Sequence, residues 1–411
     1  MPKTGRWIFQ NNMSFDIELH NIGCLPVYDG NVLRYERNTS LQVQNGYIAN
    51  IGSPTSNNSI DCKGKLVTPG FIDSHTHPIF DNNRNEEHQQ RLLGETYEEI
   101  ARNGGGIISS IEGVRNSTAD ELYNKAFKRM DRFISLGTTT IEAKTGYGLN
   151  TDSELKSLEV IKNLDLNHSI DLVPTFMGAH AFPVEYQKNQ QGFVNLIIDE
   201  MIPAVYEQGI AKYIDVFCEE GYFSVDHART IIKRGLDYGF IPRIHADEFS
   251  NIGASQLAAD MGAVSADHLM AIDDRSIQSL VENNVVATLL PGTTFFLNKK
   301  TYAPARKLID YGAIVALATD FNPGSCHIQS IPFIMTLAVM SMSMSIEEAF
   351  IAATYNGALA LGCENEVGSI EINKKADLVI WEIDTLFDIP YYVTDHPIRH
   401  VIKNGQIVFG A

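Results

Sequence analysis

Two histidines separated by one residue, His75 and His77, are the first residues in the chain whose types and spacing suggest chemistry. They follow the apolar run Leu66 to Ile72, which predicts a β-strand. Because side chains alternate along an extended strand, both imidazoles project from the same face. Neutral imidazole is the commonest metal ligand, so the pair predicts half of a metal site if matching ligands lie further along the chain.

Further candidate ligands follow predicted strands later in the sequence: His245 with Glu248, Asp267 with His268, and Asp320. Taken singly, His245 could be a core histidine and Asp320 could cap a helix. Together, three imidazoles and one carboxylate can surround a divalent or trivalent cation and leave room for a water molecule. Such a cation lowers the pKa of its water from about 16 to about 7, so hydroxide would be available at neutral pH.

The elements that must position these residues are alternating apolar strands and amphipathic helices. Strands are predicted at Phe71–Asp73, Thr138–Glu142, Leu172–Met177, Tyr213–Cys218, Arg243–His245, Ala263–Ala266, Val285–Leu290 and Ile314–Ala318. Capping boxes predict helix starts at Thr118 with Glu121, Thr151 with Glu154, and Ser345 with Glu348. Eight strands alternating with helices favour a parallel (β/α)₈ TIM-like barrel, whose active residues lie just past the C-terminal ends of its strands. The candidate ligands occupy those places.

Both ends of the chain instead contain short strands separated by turn dipeptides such as Asn45-Gly46 and Asn404-Gly405. Neither end is long enough for a core of its own. We therefore predict that residues 1–66 and 364–411 form one composite β-sandwich domain and that residues 67–363 form the catalytic barrel.

Composition excludes several classes of partner. The 411 residues include 32 Lys and Arg against 50 Asp and Glu, a net charge of −18, which disfavours nucleic-acid and anionic-membrane surfaces. An anionic small substrate would need a local cation in its pocket. The five cysteines are scattered and contain no CxxC pair, which disfavours a disulfide framework and favours a reducing cytoplasm. The sequence has no apolar leader and no apolar run near 18 residues, so we expect a soluble cytoplasmic protein.

Across nearly its whole length the chain resembles the amidohydrolase superfamily and, within it, the imidazolonepropionase family. The segments that carry the resemblance are Pro69 to His77, Gly104 to Gly106, Lys144 to Gly148, Phe176 to Ala181, Asp215 to Glu219, His245 to Phe249, Ser265 to His268, Leu290 to Gly292, Phe295 to Leu297 and Ala318 to Gly324. The histidine pair, the His245–Glu248 segment and Asp320 are typical of the superfamily. The segments KTGYG, GAHA and TDFNPGS are typical of the narrower family.

The resemblance implies a role for each matching residue. One zinc or iron ion per subunit would be bound by His75, His77, His245 and Asp320. Glu248 would be the general base or acid that carries a proton from the attacking water to the leaving nitrogen. His268 would orient the hydroxide or stabilise the developing oxyanion.

The resemblance also implies the substrate 4-imidazolone-5-propanoate, opened to N-formimidoyl-L-glutamate, and a homodimeric enzyme. Arg84 would bind the carboxylate tail through its guanidinium group. Tyr147 and His180 would contact the ring or the tail, with Glu248 beside them and Tyr97 as a further candidate. The new carboxylate of the product would be received by the loop residues Asn322, Gly324 and Ser325.

Two alternatives stay open. A metal-dependent aminohydrolase of the same superfamily would use the same histidine and glutamate, but it would release ammonia. A non-catalytic scaffold on this fold would be expected to lack ligands, and all of them are present. Superfamily members with two metals usually bridge them with a carboxylated lysine after the fourth strand. Cys218 and Glu219 occupy that place here, which favours a single metal, and Lys144 is interpreted as structural or pocket-lining.

Overall fold

Eight parallel strands form the central sheet of the protein. The computed structural model describes residues 17–30, 32–52, 59–95, 99–100 and 105–410. The strands are Phe71–Asp73, Thr138–Lys144, Asp171–Ala179, Tyr213–Cys218, Ile241–Ala246, Ser265–His268, Val286–Leu289 and Val315–Leu317, and each pairs in parallel with the next. All eight strands predicted from the sequence are present, and with the surrounding helices they confirm a (β/α)₈ barrel.

The barrel closes between the segments that follow its first and eighth strands. The Asp320 N–H donates to the His75 carbonyl oxygen over 3.0 Å, and the His77 N–H donates to the Phe321 carbonyl oxygen over 2.9 Å. One layer below, the Asp73 carboxylate accepts hydrogen bonds from the backbone N–H and the hydroxyl of Thr319. The seam of the barrel therefore runs through candidate ligands, and closing the sheet brings them together.

The sixth strand is the clearest difference from the predicted bounds. It was expected at Ala263–Ala266 and is found at Ser265–His268, so Asp267 and His268 lie inside it. Polar residues predict a strand end because a buried strand normally excludes them. Asp267 has buried polar partners instead, described below, which lets the strand continue through it.

Helices surround the barrel. They span Asn85–Leu92, Ile107–Asn116, Ala119–Ser135, Thr151–Asn167, Gln190–Leu196, Ile202–Gln208, Val225–Asp237, Ala254–Asp260, Asp274–Glu282, Pro291–Phe296, Ala305–Asp310, Ile331–Ser341, Ile346–Ala352, Tyr355–Ala360 and Asp388–Tyr391, with a 3₁₀ turn at Val184–Tyr186 and a π turn at Ile197–Met201. The helix Ala119–Ser135 shows the amphipathic pattern that positions them, because its buried residues recur three or four positions apart. No helix in the described part of the chain is long and apolar enough to cross a membrane.

Two of the three predicted capping boxes are confirmed, those at Thr118 and Ser345. The third, Thr151 with Glu154, is wrong. Asn150 is the N-cap of that helix, and its side chain accepts a hydrogen bond from the Ser153 N–H. Glu154 instead turns into the barrel end, where its carboxylate accepts three backbone N–H bonds from the preceding loop. Three loop donors satisfy a buried carboxylate better than a single N-cap donor does.

Strands from both ends of the chain form two further four-stranded sheets and a hairpin. One sheet has the order Tyr47–Gly52, Thr39–Gln44, Ile17–Ile22, Ser59–Asp61; the other has the order Gln406–Phe409, Ile398–Lys403, Leu378–Trp381, Val67–Pro69; the hairpin joins Leu25–Tyr28 to Leu33–Glu36. Residues of both sheets share one apolar core, including Leu19, Leu41, Leu378 and Ile402. The chain thus combines a barrel with a small β-sandwich region, and Val67–Pro69 pairs with the sandwich strand Leu378–Trp381.

Candidate metal centre and substrate pocket

Four predicted ligands lie close together at the C-terminal end of the barrel. The Nε2 atom of His77 lies 3.3 Å from that of His75 and 3.4 Å from that of His245. The Oδ1 atom of Asp320 lies 3.6 Å from the Nε2 atoms of both His75 and His77. Four ligands placed tetrahedrally at ordinary zinc–nitrogen distances of about 2.0–2.1 Å are separated from one another by about 3.3 Å. These four separations are close to that value. The described residues contain two groups of three that could hold a metal ion, His75 with His77 and Asp320, and His75 with His245 and His268, so His268 lies within reach of the same centre as the four predicted ligands.

Burial keeps His75 and His77 in the form that binds metals. Burial, followed by the nearby charge of Lys144 and the other imidazoles, holds the pKa of His75 well below its usual value. Burial and the neighbouring His180 do the same to the pKa of His77. Burial raises the pKa of Asp320 to about 6. Neutral imidazoles have a lone pair for a metal, and a cation in the centre would favour the ionised carboxylate.

Two buried carboxylates fix the orientation of two of these rings. Asp267 Oδ2 lies 2.7 Å from Nδ1 of His75, and Asp215 Oδ2 lies 3.0 Å from Nδ1 of His245. The hydrogen bond between His75 Nδ1 and Asp267 holds the proton on that nitrogen, so Nε2 is left to face the ligand centre. At His245 the Asp215 carboxylate lies beside Nδ1 at ion-pair distance. Sequence reasoning did not assign either aspartate this role. The signal available for both was an acidic residue inside an otherwise apolar strand.

Glu248 and His268 lie beside the ligand cluster. Glu248 Oε2 is 3.6 Å from Nε2 of His268, and both side chains are buried. Burial, and then the charges of Asp320 and Glu219, raise the pKa of Glu248 well above its usual value, while burial lowers the pKa of His268. Glu219 also holds the loop after the fifth strand, because its carboxylate accepts a hydrogen bond from the Phe249 N–H over 2.9 Å. The sequence analysis gave Glu219 no role beyond its position, where superfamily members with two metals usually carry a lysine.

A cavity of about 690 Å³ opens onto the cluster. This volume suits a small molecule rather than a macromolecule. Its wall includes two arginines, three glutamates, a polar turn and residues of the cluster: Arg84, Arg91, Glu219, Glu220, Glu248, Asn322, Gly324, Ser325, His77, His245, His268 and Asp320. The cavity therefore contains cationic groups, Arg84 and Arg91, that an anionic substrate needs in this acidic protein. The sequence analysis predicted Arg84 but not Arg91.

Arg84 is held firmly at this wall. Its Nε and one terminal nitrogen lie 2.8 and 2.7 Å from Glu87 Oε2, and its guanidinium occupies the space where a Cβ atom of Gly324 would lie. A Cβ atom on Gly324 would lie only 2.2 Å from Arg84 Nη1. Arg91 donates to the Gly324 carbonyl oxygen over 2.9 Å. Arg84 and Arg91 therefore both lie against Gly324.

Tyr147 and His180 line the cavity next to the metal ligands. The His180 ring stacks on the ring of His77 with centroids 5.0 Å apart, and its Nδ1 lies 3.0 Å from the Gly146 carbonyl oxygen. Burial lowers the pKa of His180 to about 3, so this ring is neutral. The loop that carries Tyr147 is the one whose backbone N–H groups bind Glu154.

Asn322, Gly324 and Ser325 form one ordered turn beside Asp320. Asn322 Oδ1 accepts the N–H groups of Gly324 and Ser325 over 2.8 and 2.7 Å, and its Nδ2 donates to the Asp320 carbonyl oxygen. The N–H donors expected to receive a product carboxylate therefore already donate to oxygen atoms of Asn322 and Asp320, and a ligand would have to replace these acceptors. Tyr97, the remaining predicted contact, lies outside the described residues.

The barrel and the four converging ligands define a member of the metal-dependent amidohydrolases, and a sequence profile described as "Amidohydrolase family" matches residues 220–408. Proteins named imidazolonepropionase are similar over most of the chain. The one from Alkaliphilus metalliredigens is 46% identical over 85% of this chain and 83% of its own, and the one from Clostridium tetani is 45% identical over 93% of both. The chain belongs to the imidazolonepropionase family and is a hydrolase. A solved structure of 5-methylcytosine deaminase from Klebsiella pneumoniae shares the fold, with a TM-score of 0.75 and 17% identity, covering 95% of this chain and 98% of the other.

Proposed function

We propose that this enzyme hydrolyses the cyclic amide of 4-imidazolone-5-propanoate to N-formimidoyl-L-glutamate. The observation that carries the proposal is a buried guanidinium, Arg84, in the same cavity as the four-ligand cluster. A planar lactam with a carboxylate tail needs both features, one at the ring carbonyl and one at the tail. The names and the high identity of the relatives support the same reaction.

We propose that one zinc or iron ion per subunit is held by His75, His77, His245 and Asp320. The proposal is supported by the separations of the ligand atoms and by the lowered pKa values of His75 and His77. When bound, the ion supplies a hydroxide at neutral pH and polarises the carbonyl of the substrate. Imidazole and carboxylate ligands accept either zinc or iron, so metal analysis of the purified protein is the measurement that chooses between them.

Glu248 is the group that moves the proton. Burial first, and then the charges of Asp320 and Glu219, raise its pKa well above the usual value, which suits a carboxyl that holds a proton in one step and releases it in the next. It takes a proton from the attacking water as the oxygen adds to the ring carbonyl carbon, and it gives the proton to the ring nitrogen as the C–N bond breaks. His268, 3.6 Å away, and Asp320 face the same space and orient the water and the developing oxyanion.

The substrate is oriented by groups that line the cavity. Arg84 binds the propanoate tail, and its pairing with Glu87 keeps the guanidinium in place before the substrate arrives. Tyr147 and His180 contact the ring, and Tyr97 is a further candidate. The turn formed by Asn322, Gly324 and Ser325 receives the new carboxylate.

An assay on 4-imidazolone-5-propanoate that follows both the ring absorbance and free ammonia tests this function. Ring opening by water consumes the absorbance and releases no ammonia, which is the expected result. Release of one ammonia per turnover would instead indicate the related aminohydrolase reaction. An inactive protein that binds no zinc or iron would indicate a non-catalytic scaffold.

We further propose the division of the chain into a β-sandwich domain of residues 1–66 with 364–411 and a barrel of residues 67–363. A homodimer is proposed from the resemblance, and a cytoplasmic location from the scattered cysteines. The net charge of −18 supports the absence of nucleic-acid and membrane partners. Light scattering of the purified protein measures its mass in solution, and a monomer mass would contradict the homodimer.

A further inference from the structure

A layer of five charged side chains lies inside the barrel, directly beneath the ligand cluster. Its members are Glu142, Lys144, Asp215, Arg243 and Asp267, and each is completely buried. The interior of a (β/α)₈ barrel is normally filled by branched apolar side chains. Apolar residues of similar volume are often as stabilising as a buried ion network. We infer that this layer has a role beyond stability.

Arg243 connects the segments that carry two of the ligands. It is two residues before His245 on the fifth strand, so its side chain lies one layer below that ring on the same face. One terminal nitrogen donates to the Ser74 carbonyl oxygen over 2.9 Å and to Asp267 Oδ2 over 3.3 Å. Ser74 precedes His75, and Asp267 holds the Nδ1 atom of His75. Arg243 therefore fixes the His75 backbone and ring relative to the strand of His245.

Lys144 forms the second branch of the same network. Its Nζ atom lies 2.5 Å from Asp215 Oδ2, the atom that faces Nδ1 of His245. Glu142 joins the two branches, because its Oε1 lies 2.9 Å from Lys144 Nζ and 2.9 Å from Arg243 Nε. His75 and His245 thus each lie beside a buried carboxylate, and each carboxylate lies beside a buried cation. Both cations, Arg243 and Lys144, contact Glu142.

We propose that Arg243 is a positioning residue of the metal centre, which sets the separation and orientation of His75 and His245 through Asp267 and the Ser74 carbonyl, with Lys144 acting on His245 through Asp215. Its planar guanidinium reaches Glu142, Asp267 and Ser74 at once. A lysine ammonium keeps the charge but cannot hold three such partners in a fixed fork. The proposal rests on the ligand set proposed above.

The test measures metal binding directly. Apo-protein is titrated with Zn²⁺ in competition with a chromophoric chelator, and the visible absorption spectrum of the Co²⁺-loaded protein reports ligand geometry. We expect Arg243→Lys to weaken Zn²⁺ binding about 10- to 100-fold, as the loss of groups that orient ligands does in other metal sites, and to alter the Co²⁺ spectrum. Arg243→Met should do so more strongly. If Arg243→Met does not fold, Arg243→Lys alone decides the question.

Lys403→Met is the matched control. Lys403 is also a buried cation, and its Nζ atom donates to Asp377 Oδ2 over 2.7 Å and to Asp171 Oδ2 over 2.8 Å, but none of these hydrogen bonds reaches a proposed ligand. The Lys403→Met substitution should lower the unfolding temperature and leave the Zn²⁺ affinity and the Co²⁺ spectrum of the folded protein unchanged. A folded Arg243→Lys protein with wild-type affinity and spectrum would overturn the positioning role.

His75→Ala separates this proposal from the ligand set on which it depends. Loss of Zn²⁺ binding in His75→Ala, with wild-type binding in Arg243→Lys, would refute only the positioning role. Wild-type Zn²⁺ binding in His75→Ala would refute the ligand set itself. The expected result is loss of binding in His75→Ala and weakened binding in Arg243→Lys.

Discussion

Substitution of Gly324 by alanine should weaken substrate binding by displacing Arg84. The backbone of Gly324 does not have the positive φ that only glycine adopts easily, so the added methyl group acts through contact alone. Its Cβ would lie 2.2 Å from Arg84 Nη1, whereas ordinary contact begins at 3.4 Å, so the guanidinium must move by about 1.2 Å. Arg84 cannot move so far and keep both short contacts to Glu87.

The expected size of the effect follows from the bond that is lost. A hydrogen bond between charged groups contributes about 1.5–3 kcal/mol. Loss of one such bond between Arg84 and the propanoate tail should raise KM about 10- to 150-fold, since about 1.4 kcal/mol corresponds to a factor of ten. The rate at saturating substrate should change much less, because the ligand cluster and Glu248 are not displaced.

Steady-state kinetics on 4-imidazolone-5-propanoate measure both quantities, with metal content checked in each preparation. The matched control is the same substitution in an Arg84→Ala background, where Gly324→Ala should add little because the group that it displaces is already gone. An imidazolone that lacks the propanoate tail should be turned over equally well by Gly324→Ala and wild type. An unchanged KM in Gly324→Ala, or an equal loss with the tailless compound, would refute the assignment of Arg84 to the tail.

Three further predictions concern the groups around the metal. His245→Ala should lose bound metal and turnover together, measured by elemental analysis and the absorbance assay, and full activity with retained metal would contradict the ligand assignment. Glu248→Gln should retain metal but lower kcat about 10²- to 10⁴-fold, because the amide cannot carry the proton; near-normal turnover would exclude Glu248 as the proton carrier. Glu154→Gln should lower the free energy of unfolding by about 1–3 kcal/mol, since its buried carboxylate accepts three N–H groups, and unchanged denaturant unfolding would refute that role.

The barrel and its ligand types were predictable because each has a local signal. Buried parallel strands read as apolar runs, and a polar residue at the end of such a run stands out, as His75, His245 and Asp320 do. Strand limits were less predictable where a buried charge has a partner. Two predicted strands stopped before Lys144 and Asp267, yet both residues lie within the observed strands.

The network beneath the ligands was not predictable from the sequence for a physical reason. Lys144 pairs with Asp215, which is 71 residues away, and His75 pairs with Asp267, which is 192 residues away. No periodicity marks the partner of a buried charge in a distant strand. The same holds for Glu154. Its spacing from Thr151 predicted a capping box, whereas its observed role as an acceptor depends on how the preceding loop folds.

The seam between the first and eighth strands has a consequence for the order in which the enzyme matures. A nascent chain that has emerged only through the seventh strand already contains His75, His77 and His245, but it lacks Asp320 and the backbone partners that close the barrel. Tight capture of the ion must then wait until the final strand has been synthesised and added. The ligands of a ribosome-bound fragment that stops before Val315 would have to compete for the ion with the other chelators of the cell.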